Sequence, residues 1–251
     1  MASSENTEHA GGGERIAKVM ARAGLCSRRE AERWIAEGRV AVNGRTLDTP
    51  ALTVGESDII TVDGKPLPQR PQARLWRYHK PEGLVTTHRD PEKRPTVFER
   101  LPKELGRVIS VGRLDIASEG LLLLTNSGTL ARRLELPSTG WTRRYRVRVF
   151  GTVDEKGLAG LGKGVTVEGV RYGPIQVQVD TASGSNTWLT LSLKEGKNRE
   201  VRRVLEHLGL QVNRLIRVGY GPFQLGNLQR GEVEEVQRRV IRDQLGRDFV
   251  G

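Results

Sequence analysis

Within "VGRLDIASEGLLLLTNSG", residues 111–128, Asp115 stands two positions after Arg113 and just ahead of four consecutive leucines. Leucine runs are built for burial, and a carboxylate beside a buried segment carries a desolvation cost unless a partner or a task offsets it. An ionised carboxylate displayed there can serve as a nucleophile or as a general base. The alternative is a structural aspartate that closes the loop or bridges to Arg113. In "EGKNREVRRVLEHLG", Lys197, Arg199, Arg202 and Arg203 crowd the start of a helix whose apolar face is Val201, Val204, Leu205 and Leu208. Cations at a helix N-terminus oppose the macrodipole, at a cost of a few tenths of a kcal/mol each, roughly. They suggest an anionic ligand nearby, with a solvated charged helix end as the alternative. In "GWTRRYRVRVFG", alternation puts Arg144, Arg146 and Arg148 on one strand face and Arg143, Tyr145, Val147 and Val149 on the other. Tyr145 is then either core or a platform for a nucleobase, stacking being worth about 1–3 kcal/mol per base.

These residues need elements to position them. "RVISV" and "LLLLT" read as strands flanking Asp115, so the aspartate sits on a loop at a strand edge, where functional side chains are displayed. "RRYRVRVFG", "VTVEGVRYGPIQVQVD", "TWLTLSL" and "VNRLIRVGYGPFQL" read as further strands. "TVFERLPKEL", "GTLARRLEL", "VDEKGLAGLG", "KNREVRRVLEHLG" and "EVEEVQRRVIRDQLG" read as helices. The layout is α+β, with a mostly antiparallel or mixed central sheet flanked by helices. Gly157, Gly162 and Lys163 match the opening of a phosphate-binding loop, but Gly164 stands where Ser or Thr must hold magnesium, so a turn is the better reading.

Upstream, residues 1–13 are polar and Gly-rich and read as a disordered tail. Residues 14–62 form a compact module. Ile16, Val19, Met20 and Ala23 have helical spacing, Ser27 and Glu30 make a capping box for a second helix bearing Ala31, Trp34 and Ile35, and Asn43-Gly44 predicts a type I′ hairpin. Residues 63–74, with three prolines, read as a linker to a larger domain over 75–251.

Lys and Arg number 41 against 30 Asp and Glu, a net charge of +11, which favours a polyanionic partner through counterion release. In the small module Arg22, Arg28, Arg29 and Arg33 cluster near the turn between the helices and form a candidate RNA-contacting face. No apolar run approaches the roughly 20 residues of a spanning helix, and no N-terminal segment resembles a secretory signal. A cytoplasmic protein without membrane contact is expected. Cys26 is the single cysteine, which excludes an intramolecular disulfide and a cysteine-based zinc cage. The four histidines lack metal-ligand spacing, and no metal or cofactor is expected.

Together "GRLDIASEGLLLLTNSG", "RRYRVRV" and "EGKNREVRRVLEHLG", with "YHKPEGLVTT" and "RLIRVGYGPFQLGNL", resemble bacterial ribosomal RNA pseudouridine synthases of the RsuA/RluB branch. "AGLCSRREAERWIAEGRVAVNG" resembles an S4-type RNA-binding domain. The resemblance implies that Asp115 is the catalytic aspartate, that Tyr145 packs on the target base, and that Lys197, with Arg199 as the alternative, supplies a cation paired to the aspartate. It implies that Arg113, Arg199, Arg202 and Arg203 bind RNA phosphates or organise the pocket, with Arg144 and Arg146 as further RNA contacts. No cofactor is implied. The expected partner of a monomeric enzyme is ribosomal RNA, free or in an assembly intermediate. Large-subunit RNA is favoured. Small-subunit RNA, or a non-catalytic role in binding ribosomal RNA during assembly, are the alternatives.

Overall fold

The computed structural model describes residues 13–246, save the side chains at 182 and 183. The tail expected over residues 1–13 lies, but for Gly13, outside the described residues. Two compact units emerge, divided between Gln72 and Ala73.

In the first unit Glu14–Arg15 (β1) leads into α1, Ile16–Arg22, and Ser27 caps α2, Arg28–Ala36, through a complete capping box with Glu30. Val40–Val42 (β2) turns at Asn43 and Gly44, both at positive φ as a type I′ hairpin requires, into Arg45–Thr46 (β3). Thr53–Val54 (β4) pairs with β1, and Ile60–Val62 (β5) pairs with β2 and with Lys65–Pro66 (β6). Ile16, Met20, Ala31, Ile35 and Val40 close its core. The small sheet therefore extends into the segment read from sequence as linker, and Leu67 packs on that core.

The second unit is built on a nine-stranded sheet. Its strands are Leu75–Lys80 (β7), Ile109–Val111 (β8), Glu119–Thr125 (β9) and Arg143–Phe150 (β10). After a separate hairpin, Val165–Val167 (β11) with Val170–Tyr172 (β12), come Ile175–Ser183 (β13), Asn186–Leu193 (β14), Gln211–Tyr220 (β15), Phe223–Gln224 (β16) and Val233–Glu235 (β17). The order is β13-β14-β10-β15-β9-β7-β17, with β8 beside β9 and β16 beside β15. Among the described strands of this sheet, only the β9–β15 pair is parallel.

All seven residues of β9 are buried, because the strand is covered on both faces. Leu121 and Leu123 pack in a cluster with Leu130 and Leu134 of α3, Gly128–Glu135, and Ile241 of α6, Arg238–Leu245. Leu122 and Leu124 pack with Trp76, Tyr78, Val97 and Leu114. On the far half of the sheet, Val147 and Val149 meet Leu158 of α4, Glu155–Gly160, and Val201, Val204 and Leu205 of α5, Glu200–His207.

Three sequence expectations change. "TVFERLPKEL" forms two short 3-10 turns, Phe98–Arg100 and Lys103–Leu105, because Pro102 forces Leu101 into an extended conformation between them. The start of "EVEEVQRRVIRDQLG" is β17, paired with β7, and only its second half is helical. β7 itself, "LWRYHK", is a central strand that the sequence reading did not pick out; five of its six residues are buried.

Gly120 sits where β9 meets β15. Its φ is +106°, and an added Cβ would lie 2.3 Å from the Arg217 carbonyl oxygen, part of a backbone that cannot move aside cheaply. Gly120→Ala should therefore cost about 3 kcal/mol or more of unfolding free energy, combining backbone strain and overpacking. Denaturant titration checks this; a loss below about 1 kcal/mol would contradict the close approach.

Candidate active site

Asp115 lies on the loop from Gly112 to Ser118 between β8 and β9. Every backbone carbonyl from residue 114 to 118 accepts a hydrogen bond. The Thr86 hydroxyl donates to the Leu114 carbonyl (2.8 Å), the Ser118 amide to Asp115 (3.0 Å) and the Gly83 amide to Ile116 (2.8 Å). Arg202 Nη2 donates to Ala117 (2.7 Å), and Lys80 Nζ to Ser118 (2.8 Å). Leu114 is buried in the core below and anchors the loop from the inside. Ile116 is 40% exposed and does not line the cleft described below. The Gly112 amide donates to Glu135 Oε1 of α3, fixing the other end of the loop (2.6 Å).

Asp115 lines a cleft of about 500 Å³ with Arg113, Arg143, Tyr145, Arg199, Glu200 and Arg217. Leu193 and Leu215 provide its apolar floor, and Lys197 is also on its wall. Tyr145 reaches the cleft from the core-facing side of β10, half-buried against both neighbouring hydrophobic clusters.

The expected Asp115–Lys197 pair is not what the structure contains. Lys197 Nζ is 2.8 Å from Glu195 Oε2, donates to the Arg171 carbonyl at 2.5 Å and lies 5.6 Å from the centre of the Tyr172 ring. The cations that feel the Asp115 charge are Arg202 and Lys80, both buried. Burial pulls the Lys80 ammonium down to about 8, against the opposing effect of the Asp115, Glu82 and Glu119 carboxylates. Burial also lowers Arg202, as does Arg199, while Asp115 acts to raise it. Arg202, expected among the phosphate contacts, is thus a loop-holding group behind Ala117, with Nη1 on the Val212 carbonyl at 3.1 Å. Arg203 is half-buried and does not line the cleft. Arg144 and Arg146 stand on the sheet face opposite Tyr145 and do not line it either.

The helix expected to begin near Lys197 starts at Glu200, and Arg199 caps it in a left-handed conformation (φ 50°) that carries its side chain to the cleft. In the first unit Arg28 and Arg29 are exposed without ion pairs among the described residues. Arg22 is paired with Glu14, and Arg33 lies 3.5 Å from Glu37.

Two cleft residues escaped the sequence reading. Arg217 is 3% exposed, faces Tyr145 in register across β10 and β15, and donates from Nε to the Leu121 carbonyl at 2.7 Å; its Nη2 has no protein partner. The signal was available, since Arg217 falls on the same strand alternation as buried Leu215. A charge at a core-facing strand position calls for a task. Glu200 is equally buried, and its Oε2 accepts the Lys197 amide at 2.9 Å. Desolvation first, then the neighbouring Glu195 carboxylate, pushes the Glu200 carboxyl up to about 7. Glu195 is desolvated too, yet the Gly173 amide and the Lys197 ammonium hold it below its ordinary range. Glu200 Oε1 lacks a partner only while Glu200 is ionised; with a proton it donates to Glu195. No group of three or more metal-ligating side chains occurs among the described residues.

The raised Glu200 value has a definite sign. Between the unfolded value of 4.5 and about 7, the folded chain binds more protons than the unfolded chain, so stability falls as pH rises through that window. The expected decline is about 1–3 kcal/mol from pH 5 to pH 8. Glu200→Gln should remove it. An unchanged pH dependence in that variant, measured by chemical denaturation, would rule the shared proton out.

With that geometry in place, comparison with known proteins becomes informative. The family model described as RNA pseudouridylate synthase matches residues 74–207, and the S4 domain model matches residues 14–60. The chain is 48% identical to a Rickettsia felis protein described as an uncharacterized RNA pseudouridine synthase, over 91% of this chain and 99% of that one. It is 46% identical to ribosomal large subunit pseudouridine synthase B of Pseudomonas aeruginosa, over 91% of this chain and 61% of that protein. A crystal structure of a pseudouridylate synthase superposes with a TM-score of 0.65 at 25% identity, covering 92% of this chain and 99% of the other. The matched segment carries both Asp115 and Tyr145, which line one cleft, and the chain belongs to the RNA pseudouridylate synthase family.

Proposed function

We propose that the chain converts uridine to pseudouridine in ribosomal RNA, with Asp115 as the catalytic carboxylate, acting as a cytoplasmic monomer. The carrying observation is the Asp115 loop, held carbonyl by carbonyl at the mouth of a cleft that Tyr145 also lines. Large-subunit RNA is the proposed target, because the Pseudomonas aeruginosa relative is named for that substrate.

The reaction breaks the bond between uracil N1 and ribose C1′, turns the base, and joins C5 to C1′. C5 loses a proton and N1 gains one, so the composition is unchanged. An ionised carboxylate starts it, either by attacking C1′ or by removing a ribose proton. Asp115 forms no ion pair among the described residues, which leaves its oxygens available to the ribose. Buried Arg202 and Lys80 hold the loop from behind through the Ala117 and Ser118 carbonyls.

The target uridine must leave its stack, at a cost of a few kcal/mol, roughly. Tyr145 offers a ring for the displaced base, a contact worth about 1–3 kcal/mol. Arg113 and Arg199 are exposed at the rim and suited to the flanking phosphates. Arg217 Nη2, buried and unpartnered, is placed to donate to a carbonyl oxygen of the base.

Asp115→Asn should bind RNA within a few-fold of the parent and release no tritium from RNA labelled at uracil C5. Tritium release by that variant would refute the catalytic role. RNA affinity should also fall by roughly 0.7–0.9 log units per tenfold rise in salt for each phosphate contacted. A salt-insensitive Kd would contradict phosphate binding by the arginines.

A further inference from the structure

The large sheet carries a second basic surface that the cleft does not use. On β10, Tyr145, Val147 and Val149 face the layer that holds the cleft and α5, while Arg144, Arg146 and Arg148 stand exposed on the other side. Arg148 lies in register between Trp188 of β14 and Arg214 of β15. The Arg146 guanidinium sits 4.7 Å from the centre of the Trp188 ring, and that of Arg214 5.9 Å.

The charges on this face are poorly balanced. Arg214 is taken up by Glu119. Asp180 lies 3.9 Å from Arg146 Nε and already accepts the Thr190 hydroxyl at 2.9 Å. Arg144 and Arg148 make no ion pair among the described residues. Three guanidinium groups at every second residue, about 6.6 Å apart along a strand, repel one another and bury little. Nothing in the packing of the sheet calls for them, so an anionic partner is the physical reason to keep the row. The spacing suits successive phosphates of one nucleic-acid strand. Arg146 already rests over the Trp188 ring, which restricts its side chain and reduces the entropy lost on binding.

The rest of the face decides between kinds of polyanion. Around the row stand Gln176, Gln178, Thr190 and Ser192, with Trp188 beside it and the exposed Phe150 ring at the end of the strand. Protein partners rely on a continuous apolar interface core, and here Phe150 lies at the strand end with arginines and polar side chains over the rest of the face. Nucleic-acid interfaces are polar and strongly positive, with rings available for stacking. We propose that the β10–β14 face binds the phosphate backbone of an RNA segment distinct from the one whose uridine enters the Asp115 cleft. That RNA is the polyanion rests on the function proposed above; the surface itself rests on the geometry of the sheet.

Arg148→Glu in the full chain tests this, since Arg148 touches nothing in the cleft. Affinity is measured over a range of salt for a ribosomal RNA transcript of several hundred nucleotides and for a short stem-loop cut from it around the modified uridine. The variant should bind the transcript about tenfold more weakly at 0.1 M salt, with a log–log salt slope shallower by about 1. Its affinity for the stem-loop and its tritium release from it should match the parent, and Arg148→Lys should recover most transcript binding. Equal loss on both RNAs, or no loss on the transcript, would overturn the proposal. So would a change in sedimentation showing that the face joins two copies of the chain. Absence of tritium release by the parent protein would instead strike at the enzymatic reading, and the two affinity series would still report on this face.

Discussion

A carboxylate can be kept charged and aimed only if the backbone carrying it has nowhere else to go. Between Leu114 and Ser118 that condition is met by five donors from four separate parts of the chain: Thr86 and Gly83 after β7, Lys80 at its end, Arg202 on α5, and Ser118 in the loop itself. Loops usually owe their order to solvent-exposed hydrogen bonds that open readily. Here two of the donors are buried cations, and a charged donor gives a stronger bond than a neutral one. Removing either would leave a carbonyl of the loop without its donor, so the order of the Asp115 loop depends on two cations contributed by distant elements.

The arginines of this chain divide by location into distinct jobs that composition alone merges. Arg202 and Arg217 are almost fully buried and act as hydrogen-bond donors to backbone carbonyls. Arg143 spans the Lys194 and Trp141 carbonyls and lies against the Tyr220 ring, bracing one wall of the cleft. Arg113 and Arg199 reach the rim, and Arg144 and Arg148 face solvent on the other side of the sheet. A guanidinium suits the first two tasks because its planar fork meets several fixed carbonyls and stacks on rings at once. The net charge of +11 is thus partly interior framework, and only the remainder is available to a polyanion.

The sheet explains why so little chain is needed to build the site. β9 follows the Asp115 loop, β10 presents Tyr145, and β15, lying between them, presents Arg217 opposite Tyr145. The parallel β9–β15 contact requires Gly120 and brings the loop that precedes β9 over the strand that carries Arg217. α5 then closes the cleft from the same layer, with Arg199 as its N-cap and Glu200 and Arg202 both in its first turn. Helix, strand and loop each contribute through backbone register, which the period-2 and period-3.6 patterns already encode.

Much of this was legible one segment at a time. The capping box at Ser27 and Glu30, the Asn43-Gly44 turn, the two-faced pattern of β10 and the apolar stripe of α5 are local signals, since each depends on contacts within a few residues. So was the tension at Asp115, a carboxylate set against four leucines. What the sequence could not state was which cation serves that carboxylate. Lys197 and Arg202 differ by five positions on one segment, and only the packing of α5 turns Arg202 toward Ala117 and lets Lys197 swing to Glu195. Arg217 and Glu200 stayed hidden for the same reason: their burial and their partners come from strands and helices far away in sequence. Long-range pairing, set by sheet order, determined the electrostatics of the site, while short-range pattern determined the pieces.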